Sequence, residues 1–409
     1  MADKRYLEKK LKDDFIKLLE SNNINLLLGA GFCANILSTL GSMERLMEIV
    51  QKNVTNSKYY ILESLLYWNF FENSIYPMVE KLNDSNILNE QREFLSIWKE
   101  ILNIRESKIL LKQINIFTTN YDVILELTME EESIEYNDGF QGRINPYFSI
   151  SNYNRIYHKQ TLFTNRISVL PIFNIYKIHG SITWKSSNRN DGKFIYSNYI
   201  DNLVEFHDLN KNLLNEKDKK VLNNIINIDK NDINEEKVKS LIEDLEIIDV
   251  EKYMRFTEFY KSTFKIVNPT KQKFYDTIVN KNYYELLRIY CNELERENTL
   301  VIAFGFSFCD EHILDMTKRA LNNPSLLLII FSYKKEERDN FLEMFKENNN
   351  VWVIGKNEWR EKDETDKDEE MQEDLHEVAI GLDASKVVLD ITDVNNFMQK
   401  IIKGKYKYE

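Results

Sequence analysis

Cysteine, proline, histidine and glycine are all scarce: three, five, five and eleven residues in a chain of 409. The cysteines stand at 33, 291 and 309, with no Cys-x-x-Cys pair, which argues against a disulfide framework and against a four-cysteine zinc site. No proline- or glycine-rich stretch marks an interdomain linker, and no internal repeat is visible. No apolar run approaches the roughly 18 residues a membrane span requires. Met1 to Glu20 alternates charged and apolar residues rather than forming a signal peptide, so a cytoplasmic address is expected. Positive charge is also in deficit. A formal net charge of -12 argues against a surface that coats nucleic acid throughout and leaves a local or delegated role there.

The chain does have apolar mass: 43% hydrophobic residues and 12% aromatic, enough for a large core in one enlarged domain or two. Leu7 to Leu19 has helical spacing and predicts an amphipathic first helix. Met43 to Asn103 mixes i+3 and i+4 apolar spacings, broken at Pro77, as expected for a helical insertion with its aromatics in the core. Asp191 to Lys261, polar and lysine-rich with a helical stretch from Val238 to Val250, predicts a second inserted helical lobe. Strands are expected at Ile24–Leu28, Ile114–Phe117, Val169–Ile178, Thr299–Phe304, Leu326–Phe331 and Val351–Ile354. Helices are expected at Val123–Met129, Tyr275–Glu297 and around Ile313–Leu321. Tyr136-Asn-Asp-Gly139 predicts a turn into a loop. This alternation implies a parallel sheet with helices on both faces. Glu361 to Glu377 is acidic with little to bury and is expected to be flexible. The resulting division is a main domain over 1–358 with insertions at about 43–103 and 191–261, an acidic segment over 359–380 and a tail over 381–409, with an apolar stretch from Val387 to Ile402.

Short motifs follow the strands. Gly29-Ala30-Gly31 comes after Ile24–Leu28 and before a helix-compatible stretch, where backbone N–H groups can meet a pyrophosphate and no Cβ blocks its approach. Phe117-Thr118-Thr119-Asn120-Tyr121-Asp122 and Tyr176-Lys177-Ile178-His179-Gly180-Ser181 end two more strands, and Gly305-Phe306-Ser307 ends a fourth. Each has a plainer reading. Gly-Ala-Gly is a tight turn, Asn120 and Asp122 are helix caps, His179 is a satisfied core histidine, and Asp310 caps a helix after Gly305 and Ser307. His312 is equally a helix-turn residue or part of a site.

Together and in this order, the four motifs resemble those of the sirtuin family, specifically its bacterial branch associated with phage defence. That family shows a Gly-Ala-Gly loop, a Thr-Gln-Asn-Ile-Asp-like segment, a Lys-x-His-Gly segment and a Gly-Thr-Ser-like turn. The resemblance covers about residues 22 to 355 and implies a Rossmann-like α/β fold that takes NAD+ as substrate. It implies a pyrophosphate on Gly29, Ala30 and Gly31, with Phe32 in the same loop and Gly305 and Ser307 assisting. It places Asn120 on the nicotinamide ribose and a water, Thr118 in the same segment, Asp122 near the nicotinamide amide, and His179 as general base. No metal is implied. The Cys-x-x-Cys pairs of deacylating members are missing, and Phe32-Cys-Ala-Asn-Ile-Leu37 stands where they carry a Pro-Asp-Phe-Arg-like segment. Ile266-Val-Asn-Pro-Thr270 and Asn137-Asp-Gly-Phe140 are similar to segments of the defence branch.

The expected activity is hydrolysis of NAD+ to nicotinamide and ADP-ribose, depleting NAD in an abortive response to infection. A homo-oligomer and a HerA-type hexameric ATPase are the implied partners, with no membrane. The alternatives are an NAD-dependent deacylase or ADP-ribosyltransferase, a non-catalytic NAD- or ADP-ribose-binding scaffold, and a nuclease subunit of a complex.

Overall fold

Asn-Ile-Asn-Leu-Leu-Leu at 23–28 and Leu-Leu-Leu-Ile-Ile-Phe at 326–331 are buried along almost their whole length, the pattern of strands covered on both faces. They belong to an eight-stranded sheet in the computed structural model, which describes residues 1–7, 9–37, 43–53, 56–105, 109–187, 193–229, 232–245, 249–267, 280–359 and 387–405. Across the sheet the order is β1 (Asp3–Tyr6), β14 (Val351–Gly355), β13 (Leu326–Phe331), β12 (Thr299–Phe304), β2 (Asn23–Leu28), β3 (Gln113–Thr118), β9 (Ile172–Lys177) and β4 (Tyr136–Asn137). Every pairing in it is parallel.

Alternate side chains feed two cores. Leu26, Leu28, Ile116, Ile302 and Ile329 join Phe15, Trp98, Ile124 and Phe397 on one face. Leu27, Phe117, Tyr176, Val301 and Ile330 join Leu286, Tyr290, Ile313 and Phe341 on the other. Helices Lys9–Ser21, Asn89–Ile104, Ile124–Glu131 and Ile391–Lys405 therefore cover the first face. Helices Lys281–Leu294, Glu311–Ala320 and Lys335–Met344 cover the second. The Rossmann-like α/β architecture is thus present, with helices on both faces.

Winding changes direction between β2 and β12. From β2 the chain goes on to β3 and then β9 on one side, while β12 leads to β13 and β14 on the other. In such a sheet the crevice outside the strand carboxyl ends, at the reversal, is where a ligand has room to enter.

The two insertions meet. Helix Ser57–Phe70 is buried on all sides, so its sequence lacks a single apolar stripe. It packs along helix Val250–Thr263: Ser64 Oγ donates to the Tyr253 carbonyl (2.9 Å), Lys261 Nζ lies 2.8 Å from Glu63 Oε1, and the Tyr67 and Tyr260 rings stack at 4.6 Å.

Several expected boundaries differ. The strand expected over Val169–Ile178 is interrupted at Leu170-Pro171: proline has no N–H for a ladder, and Leu170 N–H still belongs to the hairpin, donating to the Tyr157 carbonyl (2.9 Å), so β8 (Ile167–Val169) pairs with β7 (His158–Gln160) apart from the main sheet. The helical stretch Val238–Val250 divides into Glu235–Ile242 and Val250–Thr263, because Asn234 and Asp249 each start a helix by accepting an N–H, from Lys237 and Lys252. Ahead of Pro77 the chain makes a π-helical turn over Phe71–Ile75. The helix expected from Tyr275 begins at Lys281, capped by Asn280, and residues 268–279 lie outside the described residues. So do the acidic segment over 361–377 and part of Ile266–Thr270. A four-stranded antiparallel sheet of β10 (Trp184–Ser186), β11 (Phe194–Tyr196), β6 (Tyr147–Phe148) and β5 (Phe140–Gln141) was not expected, nor was edge strand β1.

Candidate functional site

β12, β2, β3 and β9 are neighbours, so the four motifs that follow them stand side by side at the carboxyl edge of the sheet. Direct bonds tie them together. Gly31 N–H donates to the Gly305 carbonyl (2.9 Å), joining the loops after β2 and β12. Asn120 Nδ2 donates to the Gly29 carbonyl (3.0 Å), joining the loops after β2 and β3. Ile178 N–H donates to the Thr118 carbonyl (2.9 Å), joining β3 to β9. A charge contact adds to these bonds: His179 Nε2 lies 3.1 Å from Asp310 Oδ2, which brings the loop after β9 to the loop after β12.

Glycine is required here by loop-on-loop contact. A Cβ on Gly29 would sit 2.4 Å from the Gly305 carbonyl oxygen, and one on Gly31 would sit 2.5 Å from the Gly305 Cα. Gly305 itself has φ +61°, the left-handed region where a Cβ is strained. The Gly29 and Gly31 N–H groups, expected to face a pyrophosphate, donate instead to the Phe304 and Gly305 carbonyls in this conformation. The helix-compatible stretch expected after β2 folds as a 3₁₀ turn over Ala30–Cys33, which includes Gly31.

The candidate residues divide by depth. Ala30, Gly31 and Ser307 are exposed and Gly305 is half-buried. Asn120 and His179 are each 9% exposed, buried but at the margin of the surface. Thr118 is fully buried and positions Asn120 by accepting its N–H on Oγ1 at 3.0 Å. Phe32 is buried against Phe94 and Phe304, and Gln91 holds its carbonyl at 2.9 Å. Asp122 lies one residue ahead of the Val123 N-cap of helix Ile124–Glu131, with Oδ1 accepting the Ile124 N–H at 3.0 Å. Ser307 Oγ accepts the Cys309 N–H at 3.4 Å. His312 stands in the first turn of helix Glu311–Ala320, its N–H donated to Asp310 Oδ1 at 3.2 Å.

Beneath these residues lies a layer of buried ionisable groups. Lys177, with its side chain 3% exposed, pairs with Glu126 at 3.0 Å and also donates to the Asp122 carbonyl. Burial holds the Glu126 carboxyl above the usual carboxylate range although Lys177 pulls it down. Burial, and then the Asp122 charge, push the Cys33 thiol well above its ordinary value, so Cys33 stays a neutral thiol packed under Asn120 Nδ2, 3.6 Å away. Lys177 could be read from the Lys-Ile-His-Gly motif. Glu126 had no signal beyond its place in the first turn of a helix, and Asp310 was legible only as a cap.

Chemically, the arrangement offers an imidazole and a carboxamide at the floor of a rim built from backbone. Among the described residues no group of three or more His, Cys, Asp or Glu side chains could hold a metal ion, and no helix is long and apolar enough to cross a membrane. No protein-family model matches the chain, and no curated protein does.

Proposed function

We propose that this chain is a sirtuin-like NAD+ hydrolase that cleaves NAD+ to nicotinamide and ADP-ribose. The observation that carries the reading is the convergence of all four motifs, hydrogen-bonded to one another, at the point where the winding of the sheet reverses. Phosphate binding alone would not require an Asn and a His at its floor.

In the proposed reaction the glycosidic C–N bond breaks with its electron pair leaving on nicotinamide, and the ribose develops oxocarbenium character. Water then forms the new C–O bond and gives up a proton. Asn120 holds the ribose and that water, and His179 accepts the proton. Ala30 and Gly31 present the exposed rim to the pyrophosphate. A phosphate oxygen displacing the Gly305 carbonyl from Gly31 N–H would exchange a neutral hydrogen bond for a charge-assisted one, roughly twice as strong. A role in depleting NAD during infection, a homo-oligomeric state and a HerA-type ATPase partner belong to the same proposal and rest on the resemblance alone.

The test is binding and turnover measured together. Wild type should bind NAD+ and release nicotinamide. His179→Ala should bind NAD+ and turn over ~10²–10⁴-fold more slowly. Wild-type turnover in His179→Ala at full NAD+ occupancy would reject the assignment.

A further inference from the structure

Asp310 does more than a helix cap requires. Its Oδ1 alone receives the two capping N–H groups, from His312 at 3.2 Å and Ile313 at 3.3 Å, at the start of helix Glu311–Ala320. Its Oδ2 is turned the other way and lies 3.1 Å from His179 Nε2. The two side chains are 10% and 11% exposed, so neither the carboxylate nor the imidazole is well hydrated, and each is the other's near neighbour.

Ahead of Asp310 the loop passes through the left-handed region twice. Gly305 has φ +61° and Phe308 has φ +55°, and for a bulky residue the left-handed region is costly. Phe308 is held there by burial to 2% exposure, with its ring 5.0 Å from Phe306, 6.0 Å from Phe341 and 5.3 Å from Phe345. On the opposite side His179 is fixed by its own backbone. Its carbonyl accepts the Val267 N–H at 2.8 Å, and Gly180, at φ +80°, fits so closely that a Cβ would lie 2.1 Å from the Lys265 carbonyl oxygen. The backbone on both sides of the pair is therefore set by packing before any ligand arrives.

We infer that Asp310 is a positioning residue that holds His179 as the Nε2–H tautomer, leaving Nδ1 as the nitrogen that accepts the proton. The reasoning is electrostatic. A neutral imidazole carries one proton and one lone pair on its two nitrogens. In this conformation Asp310 Oδ2 acts on the ring through charge rather than a hydrogen bond: at 3.1 Å a lone pair on Nε2 is repelled by the carboxylate oxygen, whereas a proton on Nε2 is attracted to it. The carboxylate thus selects which nitrogen keeps the proton and which stays basic, and holds the ring plane. The tautomer rests on geometry alone; its catalytic consequence rests on the NAD+-hydrolysing reading.

Asp310→Asn separates this role from capping, because Asn caps helices as well as Asp does but its amide can donate to Nε2 and return the proton to Nδ1. Two readouts are taken on the full chain. Imidazole ¹⁵N shifts of histidine-labelled protein, simplified by a total of five histidines and assigned with His179→Gln, should show Nε2–H in wild type and a shift toward Nδ1–H in Asp310→Asn. Turnover of NAD+ should fall at least 100-fold in kcat while KM changes less than threefold. An Nδ1–H tautomer in wild type, or a His179 spectrum indifferent to Asp310→Asn, would overturn the inference whether or not the protein cleaves NAD+. An Asp310→Asn variant with wild-type kcat would overturn the catalytic part. Failure of wild type to cleave NAD+ with the expected spectra would overturn the functional reading and leave the tautomer standing.

Discussion

Replacing Lys177 with methionine should loosen the floor of the candidate site by about 3–5 kcal/mol, the usual cost of removing one partner of a buried ion pair. Lys177 is 3% exposed and Glu126 15%, with Nζ and Oε1 3.0 Å apart. At an effective dielectric near 20 that separation corresponds to roughly 5 kcal/mol of attraction, most of it offset by the desolvation of both groups. The pair therefore contributes little net, and the penalty of Lys177→Met comes from what it strands: a buried carboxylate and the Asp122 carbonyl that Lys177 also satisfies. Two consequences separate this reasoning from a loss of packing. The double variant Lys177→Met/Glu126→Leu should be more stable than Lys177→Met alone. The loss should also grow with pH. Burial already holds Glu126 above the usual carboxylate range, so the folded protein keeps its proton to higher pH than the unfolded chain does. Native binds more protons than unfolded in that window, so this group's contribution falls as pH rises through the folded value. Without Lys177 the window widens upward. Native-state hydrogen exchange of the Ile124–Glu131 amides, measured across pH alongside urea unfolding, reads the effect locally. A Lys177→Met loss below 1 kcal/mol, or a double variant less stable than the single, would refute the argument.

Further expectations concern the loops. Gly305→Ala should cost at least ~1–2 kcal/mol from its φ of +61° alone, and more because its Cβ would lie 2.4 Å from the Phe32 nitrogen; faster exchange of the Gly31 amide than in wild type is the local signature, and unchanged protection would contradict it. Asn120→Ala should abolish NAD+ turnover with a weaker loss of binding, whereas a fall in melting temperature with turnover intact would make Asn120 a loop tie through Gly29 and nothing more. EDTA should leave melting temperature and NAD+ cleavage unchanged, since the proposed cleavage assigns no step to a cation and no Cys-x-x-Cys pair is present; activity that vanishes on chelation and returns with Mg²⁺ would refute it, provided the assay uses a form active without ATP.

The parallel strands were legible because a strand covered on both faces needs an uninterrupted apolar run, and Thr299–Phe304 and Leu326–Phe331 match the sequence reading to the residue. The antiparallel sheet was not, because strands of two or three residues such as β5 and β11 are too short to show a period. The four motifs were legible as strand-end motifs. What they contact was less so. Gly29 and Gly31 read as a phosphate cradle, yet their closest requirement is the approach of Gly305 from a strand far along the chain. The pairing of His179 with Asp310 was hidden for the same reason: sequence spacing carries information about local turns, and this contact depends on β9 and the loop after β12 being brought together by the sheet.

Turnover of NAD+ in H₂¹⁸O tests the central claim most directly. The account predicts equal release of nicotinamide and ADP-ribose, one ¹⁸O on the ribose anomeric carbon, and loss of both products in His179→Ala and Asn120→Ala. Nicotinamide released without labelled free ADP-ribose would mean transfer to another acceptor, and no release from any assembled form of the chain that binds NAD+ would contradict the account outright.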